Sequence, residues 1–187
     1  MTASTLLFRK PAYNVLVDTF VLKDGSRLTI RPISAADKTE LNAGLGRLSE
    51  ATVHKRFLSP KTRFSPAELR YLTEVDGRHH AALVAEERDA PHRIVAVARY
   101  VELPGAPGTA DVAIVVGDPL QGQGLGTVLA AHLAEEASRN GIRRFSATML
   151  SDNRAAHRLM AHLAGHLERR AFGAGQDEVV AELPSAA

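Results

Sequence analysis

The feature that most constrains the fold is a run of three alternate glycines between an apolar segment and an amphipathic one. Residues 111–116 are mostly apolar, as in a buried strand, and residues 128–137 have apolar positions at helical spacing. Gly122, Gly124 and Gly126 lie between them. Because glycine has no Cβ atom, successive N–H groups can converge on one anion, and a helix N-terminus adds donors and a positive dipole end. The run therefore predicts a strand, an anion-binding loop and a helix.

Two common phosphate motifs do not match this spacing. A P-loop ends in Gly-Lys-Ser/Thr, but Leu125-Gly126-Thr127 contains no lysine. The dinucleotide fingerprint G-x-G-x-x-G has one more residue before its third glycine, whereas residues 122–126 follow G-x-G-x-G. A plain strand-to-helix turn that uses glycine only for its geometry remains open.

A third pattern does match. Gln121-Gly122-Gln123-Gly124-Leu125-Gly126 fits Q/R-x-x-G-x-G/A, the signature of the Gcn5-related N-acetyltransferases (GNAT family), and residues 153–159 resemble that family's second signature, N-x-x-A-x-x-L. The resemblance implies a mixed α/β (α+β) fold, with a mixed central sheet of about seven strands and helices on both faces. It also implies that two central strands, at residues 111–116 and 142–149, splay apart and open a wedge.

The upstream sequence narrows the resemblance. Ile30-Arg31-Pro32-Ile33, residues 56–60 and residues 80–85 resemble the acetyltransferase domain of bacterial protein-lysine acetyltransferases, and the similarity covers roughly residues 19–171. We therefore expect one GNAT acetyltransferase domain over residues 18–187.

An N-terminal arm, residues 1–17, precedes this domain. Leu6, Phe8 and Val15 are among several apolar residues that make it unlike a solvated tag. We expect the arm to pack on the domain or on a partner subunit, and a homodimer is one arrangement that would bury it.

Local signals predict further elements. Asp24-Gly25 between two alternating segments predicts a hairpin. Ser65-Pro66-Ala67-Glu68 forms a capping box with proline at the first helical position, and predicts a helix that ends near Val75.

The resemblance also implies a co-substrate, acetyl-CoA. In GNAT proteins the glycine loop holds its pyrophosphate, and the preceding strand aligns its pantetheine arm. The corresponding residues here are Ile114, Val115, Val116, Gln121, Gly122, Gln123, Gly124, Leu125, Gly126, Thr127 and Asn153. Asn153 could instead cap the helix that follows it, and the two roles can coexist.

The catalytic base of the resembled enzymes is a glutamate, and the matching residue is Asp111. Aspartate is shorter by one methylene, roughly 1.5 Å of reach. Asp111 could act directly or through a water molecule, or could be a carboxylate at a loop end that only accepts backbone hydrogen bonds. Glu102, at the end of the preceding strand, is the substitute base. Many members of the resembled family have a tyrosine where this chain has Met160. The resemblance therefore assigns no residue here as the proton donor to the leaving thiolate.

Composition argues against several other kinds of protein. A net charge of +2, from 23 basic and 21 acidic residues, gives no sign of nucleic-acid binding. The absence of cysteine excludes disulfides, thiolate metal sites and an acetyl-cysteine intermediate. His157, His162 and His166 are spaced by five and four residues, which does not suit one helical face, and we expect no metal site. No apolar run reaches about 18 residues, so we expect no membrane span and a cytoplasmic protein.

The sequence thus predicts an acetyl-CoA-dependent N-acetyltransferase that moves an acetyl group directly to a primary amine, with a protein lysine as the favoured acceptor. Three alternatives remain. A small-molecule amine acetyltransferase shares every cofactor residue, and a non-catalytic acyl-CoA-binding or regulatory module would keep the glycine loop but lose the base. A structural or interaction protein would contain the glycines by accident.

Overall fold

The computed structural model describes residues 18–90 and 92–184, which form eight strands and five helices. The predicted N-terminal arm, residues 1–17, lies outside the described residues. The strands are β1 (Asp18–Val21), β2 (Arg27–Pro32), β3 (His80–Glu87), β4 (Ile94–Glu102), β5 (Thr109–Val116), β6 (Arg144–Leu150), β7 (His166–Gly173) and β8 (Gln176–Glu182). The helices are α1 (Lys38–Gly46), α2 (Glu50–Phe57), α3 (Pro66–Thr73), α4 (Leu125–Arg139) and α5 (Arg154–Leu163).

The strands form one sheet in the order β1-β2-β3-β4-β5-β6-β8-β7. The β5–β6 pair is parallel and all the other neighbours are antiparallel. The predicted mixed α/β fold is confirmed, with eight strands where about seven were expected. The edge strand β1 pairs with β2 across the turn at Asp24-Gly25, as the hairpin signal predicted.

Helices cover both faces of the sheet and bury two apolar clusters. We call the cluster beneath α4 and α5 the large core, and the cluster beneath α1 and α3 the small core. Side chains alternate between the two along each strand: Leu83 lies in the large core and Val84 in the small core. The fully buried large side chains of the large core are Tyr100, Phe145, Leu28, Ile30, Leu83, Leu125, Leu129, Leu133, Ile142 and Val179.

Serine side chains cap the N-terminal ends of two of the helices. Ser49 Oγ accepts from Thr52 N at the start of α2. Ser65 and Glu68 form the predicted capping box at the start of α3, with Pro66 as the first helical residue. Within residues 18–90 and 92–184, no helix is both long enough and apolar enough to span a bilayer.

The two central strands diverge. The parallel pairing of β5 with β6 covers only Thr109–Arg144, Ala110–Phe145 and Asp111–Ser146. Beyond these pairs β5 remains bonded to β4 as far as Val116, and β6 remains bonded to β8 as far as Leu150. The predicted wedge therefore opens between β5 and β6, with its apex at Asp111.

Candidate active site

The β5 side of the wedge presents unpaired main-chain groups. Gly117 N–H donates to Val95 O at 2.8 Å. This bond shows which residues of β5 direct their main-chain groups towards β4: Gly117 and every second residue before it. In an antiparallel pair, the polar main-chain groups of successive residues point to opposite sides of the strand. Ile114 and Val116 therefore direct their main-chain groups into the wedge, where β6 does not pair with them. An extended ligand that carries amides could bond there as an added strand.

Val115 was expected beside the cofactor with its two neighbours, but its environment differs. It lies opposite Val97 on β4, and its main-chain groups point towards that strand. Its side chain packs against the small core, whereas those of Ile114 and Val116 pack against the large core. The structure thus brings Ile114 and Val116 to the wedge through their backbone, and does not bring Val115 there.

The glycine loop holds a set of free donors at the open end of the wedge. Gly122 and Gly124 have φ values of +73° and +90°, a region that side-chain-bearing residues rarely adopt. α4 begins at Leu125, and Thr127 N and Val128 N donate to Gly124 O. Within the part of the chain that the structure describes, the N–H groups of residues 122–126 donate no hydrogen bond. Free donors at a helix N-terminus fit a pyrophosphate.

The two glutamine side chains of the loop hold its shape. Gln121 Nε2 donates to Val116 O at 3.0 Å and to Thr52 Oγ1 at 3.1 Å. Gln123 Nε2 donates to Pro119 O at 3.2 Å, and its Oε1 accepts from Lys23 N at 3.4 Å. These amides tie the loop to β5, α2 and the β1–β2 turn.

Asp118 also holds the loop, and the sequence reasoning did not identify it. Its carboxylate accepts from Ser49 N at 2.9 Å, from Ser49 Oγ at 2.6 Å and from Thr52 Oγ1 at 2.7 Å. Burial disfavours the charged form of Asp118, but the hydrogen bonds from Ser49 and Thr52 outweigh it and hold its pKa below the ordinary value. The N-terminal end of α2 is therefore fixed to the glycine loop.

Asn153 caps α5. Its Oδ1 accepts from Ala156 N at 3.3 Å, and its main-chain oxygen accepts from His157 N. The capping alternative is therefore present in the structure. The side-chain NH₂ group donates no hydrogen bond to any described residue, so it is available to a ligand in the wedge.

Asp111 stands at the apex of the wedge. It is the last residue of β5 that pairs with β6, and it shares the face of the small core with Val115. Asp111 is exposed by its surface area, but desolvation by the surrounding protein raises the pKa of its carboxyl above the ordinary value, and the positive charge of Arg56 on α2 opposes that rise. Asp111 is thus a partly desolvated carboxylate at the point where β5 and β6 separate.

Glu102 lies on the other face of the sheet. It pairs with Ala110, and both share the face of Tyr100 in the large core, whereas Asp111 pairs with Val101 on the opposite face. Glu102 Oε1 accepts from Gly108 N at 2.9 Å, and Oε2 lies 2.6 Å from His79 Nδ1. The bond from Gly108, with that from His79, lowers the pKa of Glu102. The structure does not bring the two candidate bases together.

The face that carries Asp111 continues into an open cavity of 290 Å³. Ser146, the β6 partner of Asp111, pairs in turn with Val180, which lines the cavity. The charged residues of the lining are Arg144, Arg170, Glu168, Glu178 and Glu182. The cavity therefore lies on the same face of the sheet as Asp111, although Asp111 does not line it.

Comparison with known proteins identifies the family. A family model described as the acetyltransferase (GNAT) family matches residues 51–181. The chain belongs to this family. Its glycine loop, its unpaired β5 edge and its splayed strands are therefore those of a GNAT acetyltransferase.

The relatives of this GNAT protein include the expected subfamily. Acetyltransferase PA5475 of Pseudomonas aeruginosa is 37% identical over 143 residues, which are 76% of this chain and 74% of that protein. Acetyltransferase Pat of Mycolicibacterium smegmatis is 33% identical over 158 residues, 84% of this chain, but these are 47% of Pat, so the match spans about half its length. The crystal structure of the GNAT domain of S. lividans PAT has a TM-score of 0.77 and 27% identity, and the match covers 89% of this chain and 97% of that one.

Two other features of the GNAT domain bear on its chemistry. Met160, at the position where many relatives have a tyrosine, is 4% exposed and belongs to the large core. Among the residues that the structure describes, no three His, Cys, Asp or Glu side chains are grouped as metal ligands. His157 lies 3.2 Å from Asp177, so it faces a carboxylate and not the other two histidines of its segment.

Proposed function

We propose that this GNAT protein is an acetyl-CoA-dependent N-acetyltransferase that acts on a primary amine, with a protein lysine as its acceptor. The observation that carries the proposal is the continuity of three features along β5: free loop donors, then the unpaired N–H of Val116 and the unpaired N–H and C=O of Ile114, then Asp111. A pyrophosphate on the loop and amides along the edge would direct a thioester towards the apex. The resemblance of residues 30–33, 56–60 and 80–85 to bacterial protein-lysine acetyltransferases supports the protein acceptor.

The acceptor poses the main chemical problem. A lysine ammonium with a pKa near 10.4 is only about 0.04% neutral at pH 7, and its deprotonation costs roughly 4.6 kcal/mol. A positioned carboxylate can take the proton directly or through one water molecule. Asp111 suits this role because desolvation raises the pKa of its carboxyl, which makes its carboxylate a stronger base than an ordinary aspartate.

The proposed transfer is direct; the chain has no cysteine to form an acetyl-enzyme thioester, although other nucleophilic residue types are present. Asp111 takes the first proton from the lysine ammonium; the neutral amine nitrogen then forms a bond to the acetyl carbon, the carbon–sulfur bond breaks, and the second proton of the nitrogen is lost to solvent. The thiolate of CoA is protonated from solvent, since Met160 offers no acidic proton. The loop donors neutralise the pyrophosphate and take no part in the bond changes.

A thiol-release assay with acetyl-CoA tests this proposal and separates it from the alternatives. We expect release with lysine-bearing proteins, and acetyl-lysine detected by mass spectrometry in the acceptor. Release with small amines alone would identify a small-molecule acetyltransferase. Acetyl-CoA binding without release on either panel would identify a non-catalytic module.

A further inference from the structure

The open cavity on the face of Asp111 has no role in the acetyl transfer itself. Its volume is 290 Å³, and its lining comes from β5, β6, β7, β8 and the β4–β5 loop. α5 packs on β7 and β8 from the side of the large core, whereas α1 and α2 pack on β4, β5 and β6. The cavity therefore lies beyond the strands on which α1 and α2 pack, where a ligand can reach it from solvent.

One row of cross-strand neighbours connects Asp111 to the cavity. Asp111 pairs with Ser146 on β6, and Ser146 pairs with Val180 on β8. Val180 pairs in turn with Glu168 on β7, and both of these residues line the cavity. Neighbouring strands are about 4.8 Å apart, so Val180 lies roughly 10 Å from Asp111 and Glu168 roughly 14 Å. Cross-strand partners share a face of the sheet, so the whole row lies on one face.

These distances suit a lysine that belongs to a polypeptide. The Nζ atom of an extended lysine side chain is about 6 Å from its Cα atom. A lysine whose nitrogen lies at Asp111 can therefore have its backbone over β6 or between β6 and β8. The residues next to it are about 3.4 Å further along an extended chain, which brings them over Val180. A small monoamine at Asp111 would leave the cavity empty.

Two carboxylates of β8 stand on either side of Val180 in the cavity. Glu178 and Glu182 are each two residues from Val180 and share its face, about 7 Å from it along the strand. Neither carboxylate forms a hydrogen bond or an ion pair with another described residue. Glu168, in contrast, lies 3.8 Å from Arg170. Glu178 and Glu182 are therefore available to a cation from another molecule.

The arginines of the lining do not cancel its negative charge. Arg144 is the β6 neighbour of Glu182, but no ion pair joins their side chains in the part of the chain that the structure describes. Three glutamates against two arginines leave the lining with a net charge of −1. Asp111 adds a further carboxylate on the same face. This face of the sheet is therefore complementary to a cationic segment.

We propose that the cavity holds the part of the acceptor protein next to the acetylated lysine, and that Glu178 and Glu182 select acceptors with a basic residue beside that lysine. The inference rests on the proposed function in taking a protein lysine as the acceptor and Asp111 as the group that its amine reaches. A basic side chain on either side of the lysine meets one of the two carboxylates. The enzyme then distinguishes acceptors by their sequence as well as by the reacting nitrogen.

Two acceptor peptides test this selection. Each contains one lysine, whose neighbours are arginines in one peptide and citrullines, which are neutral and similar in shape, in the other. In a thiol-release assay with acetyl-CoA, wild type should prefer the arginine peptide. Glu178→Gln combined with Glu182→Gln should reduce that preference on the order of three- to tenfold, because exposed ion pairs are individually weak. The change should lie in KM for the peptide.

Two further variants control the kinetics. Glu87→Gln combined with Glu135→Gln removes the same charge from β3 and α4, outside the cavity, and should keep the wild-type preference. Glu182→Lys reverses the charge at an exposed position and should shift the preference towards a peptide whose lysine has glutamate neighbours. An unchanged preference in the double glutamine variant or in Glu182→Lys would overturn the proposal.

A cross-linking experiment locates the peptide without any need for turnover. Because the chain has no cysteine, Arg170→Cys provides a single thiol for a photoreactive label, at an exposed position of the lining. In the presence of CoA and the arginine peptide in its acetylated form, the label should cross-link to residues beside the acetyl-lysine. Asp89→Cys, at an exposed turn, is the control and should give no cross-link. Equal cross-linking from the two positions would overturn the proposal.

Failure of the inference and failure of the proposed function give different results. Acetylation of the arginine and citrulline peptides with equal KM in every variant would overturn the role of the cavity and retain the protein-lysine acetyltransferase. Acetylation of small amines without acetylation of either peptide would refute the protein acceptor, and the inference with it.

Discussion

At the scale of single residues, the site depends on one carboxylate in an environment that disfavours its charge. Burial raises the pKa of Asp111, whereas hydrogen bonds lower those of Glu102 and Asp118. The last two carboxylates are engaged by backbone and hydroxyl donors and hold loops in place. Asp111 accepts no hydrogen bond from any described residue. A carboxylate that is charged, partly desolvated and without donors is suited to accept a proton.

Asp111→Asn should lower kcat by about 10²- to 10⁴-fold, because general bases contribute in that range and the amide preserves the shape of the side chain. The affinity for acetyl-CoA should change little. Glu102→Gln is the matched control, since it removes a carboxylate on the opposite face, and its kcat should stay near that of wild type. Steady-state kinetics with a lysine acceptor measure kcat for both variants. A larger loss of kcat in Glu102→Gln than in Asp111→Asn would identify Glu102 as the base.

The same substitution should stabilise the fold at neutral pH. The pKa of Asp111 is raised on folding, so the folded state binds more protons than the unfolded state between the two pKa values, and stability falls as pH rises through the folded pKa. Because asparagine does not ionise, Asp111→Asn removes this loss of stability at higher pH. Urea denaturation should therefore show a larger gain in the free energy of unfolding at pH 7 than at pH 3.5. A gain that is equal at both pH values, or a loss at pH 7, would contradict the assignment of a desolvated carboxylate.

Gly124→Asp should weaken acetyl-CoA binding strongly, because it places a side chain at a φ of +90° and a negative charge beside the free donors. Gly105→Asp is the matched control: it introduces the same strain at a φ of +80° in the β4–β5 loop. Both variants should lose stability, but calorimetry should find weaker binding only in Gly124→Asp. Equal affinities in the two variants would remove the loop from the cofactor site.

At the scale of elements, α2 is the part that orders the site. It is only eight residues long, and its N-terminal end is fixed to the glycine loop by hydrogen bonds to Asp118. The helix also contacts the two central strands, β5 and β6. A change at Asp118 should therefore disturb both the glycine loop and the position of α2 against β5 and β6.

Asp118→Ala should cost about 1–3 kcal/mol of stability, since it removes the acceptor of three hydrogen bonds to a charged group. It should also weaken acetyl-CoA binding. Because the pKa of Asp118 is lowered in the fold, its contribution is present above the ordinary value near 3.8 and is lost as pH falls through the folded pKa. The difference from wild type in denaturation should narrow at low pH. Asp89→Ala, at an exposed turn, is the control and should show neither effect.

At the scale of the whole molecule, the features that could be predicted from sequence are those with local signals. The hairpin at Asp24-Gly25, the capping box at Ser65 and the strand–loop–helix order all depend on neighbouring residues. The bonds of Asp118 join residues 66 and 69 positions apart, and no local pattern marks them.

Register explains two further differences between expectation and structure. Whether a strand residue turns its backbone into the wedge or towards β4 depends on pairing, and this separates Val115 from its two neighbours. Pairing also places Glu102 and Asp111 on opposite faces, although both were reasonable bases from the sequence. A shift by one residue would reverse each of these assignments.

The central claim is that acetyl-CoA adds to the β5 edge between the glycine loop and Asp111. Residue-resolved amide hydrogen exchange, with and without acetyl-CoA, tests it most directly. Exchange should slow at Ile114, Val116 and residues 122–126, whose N–H groups are free in the structure, and should change little at Ala113 and Val115, which already bond to β4. Binding of acetyl-CoA with unchanged exchange at Ile114, Val116 and the loop would contradict the account.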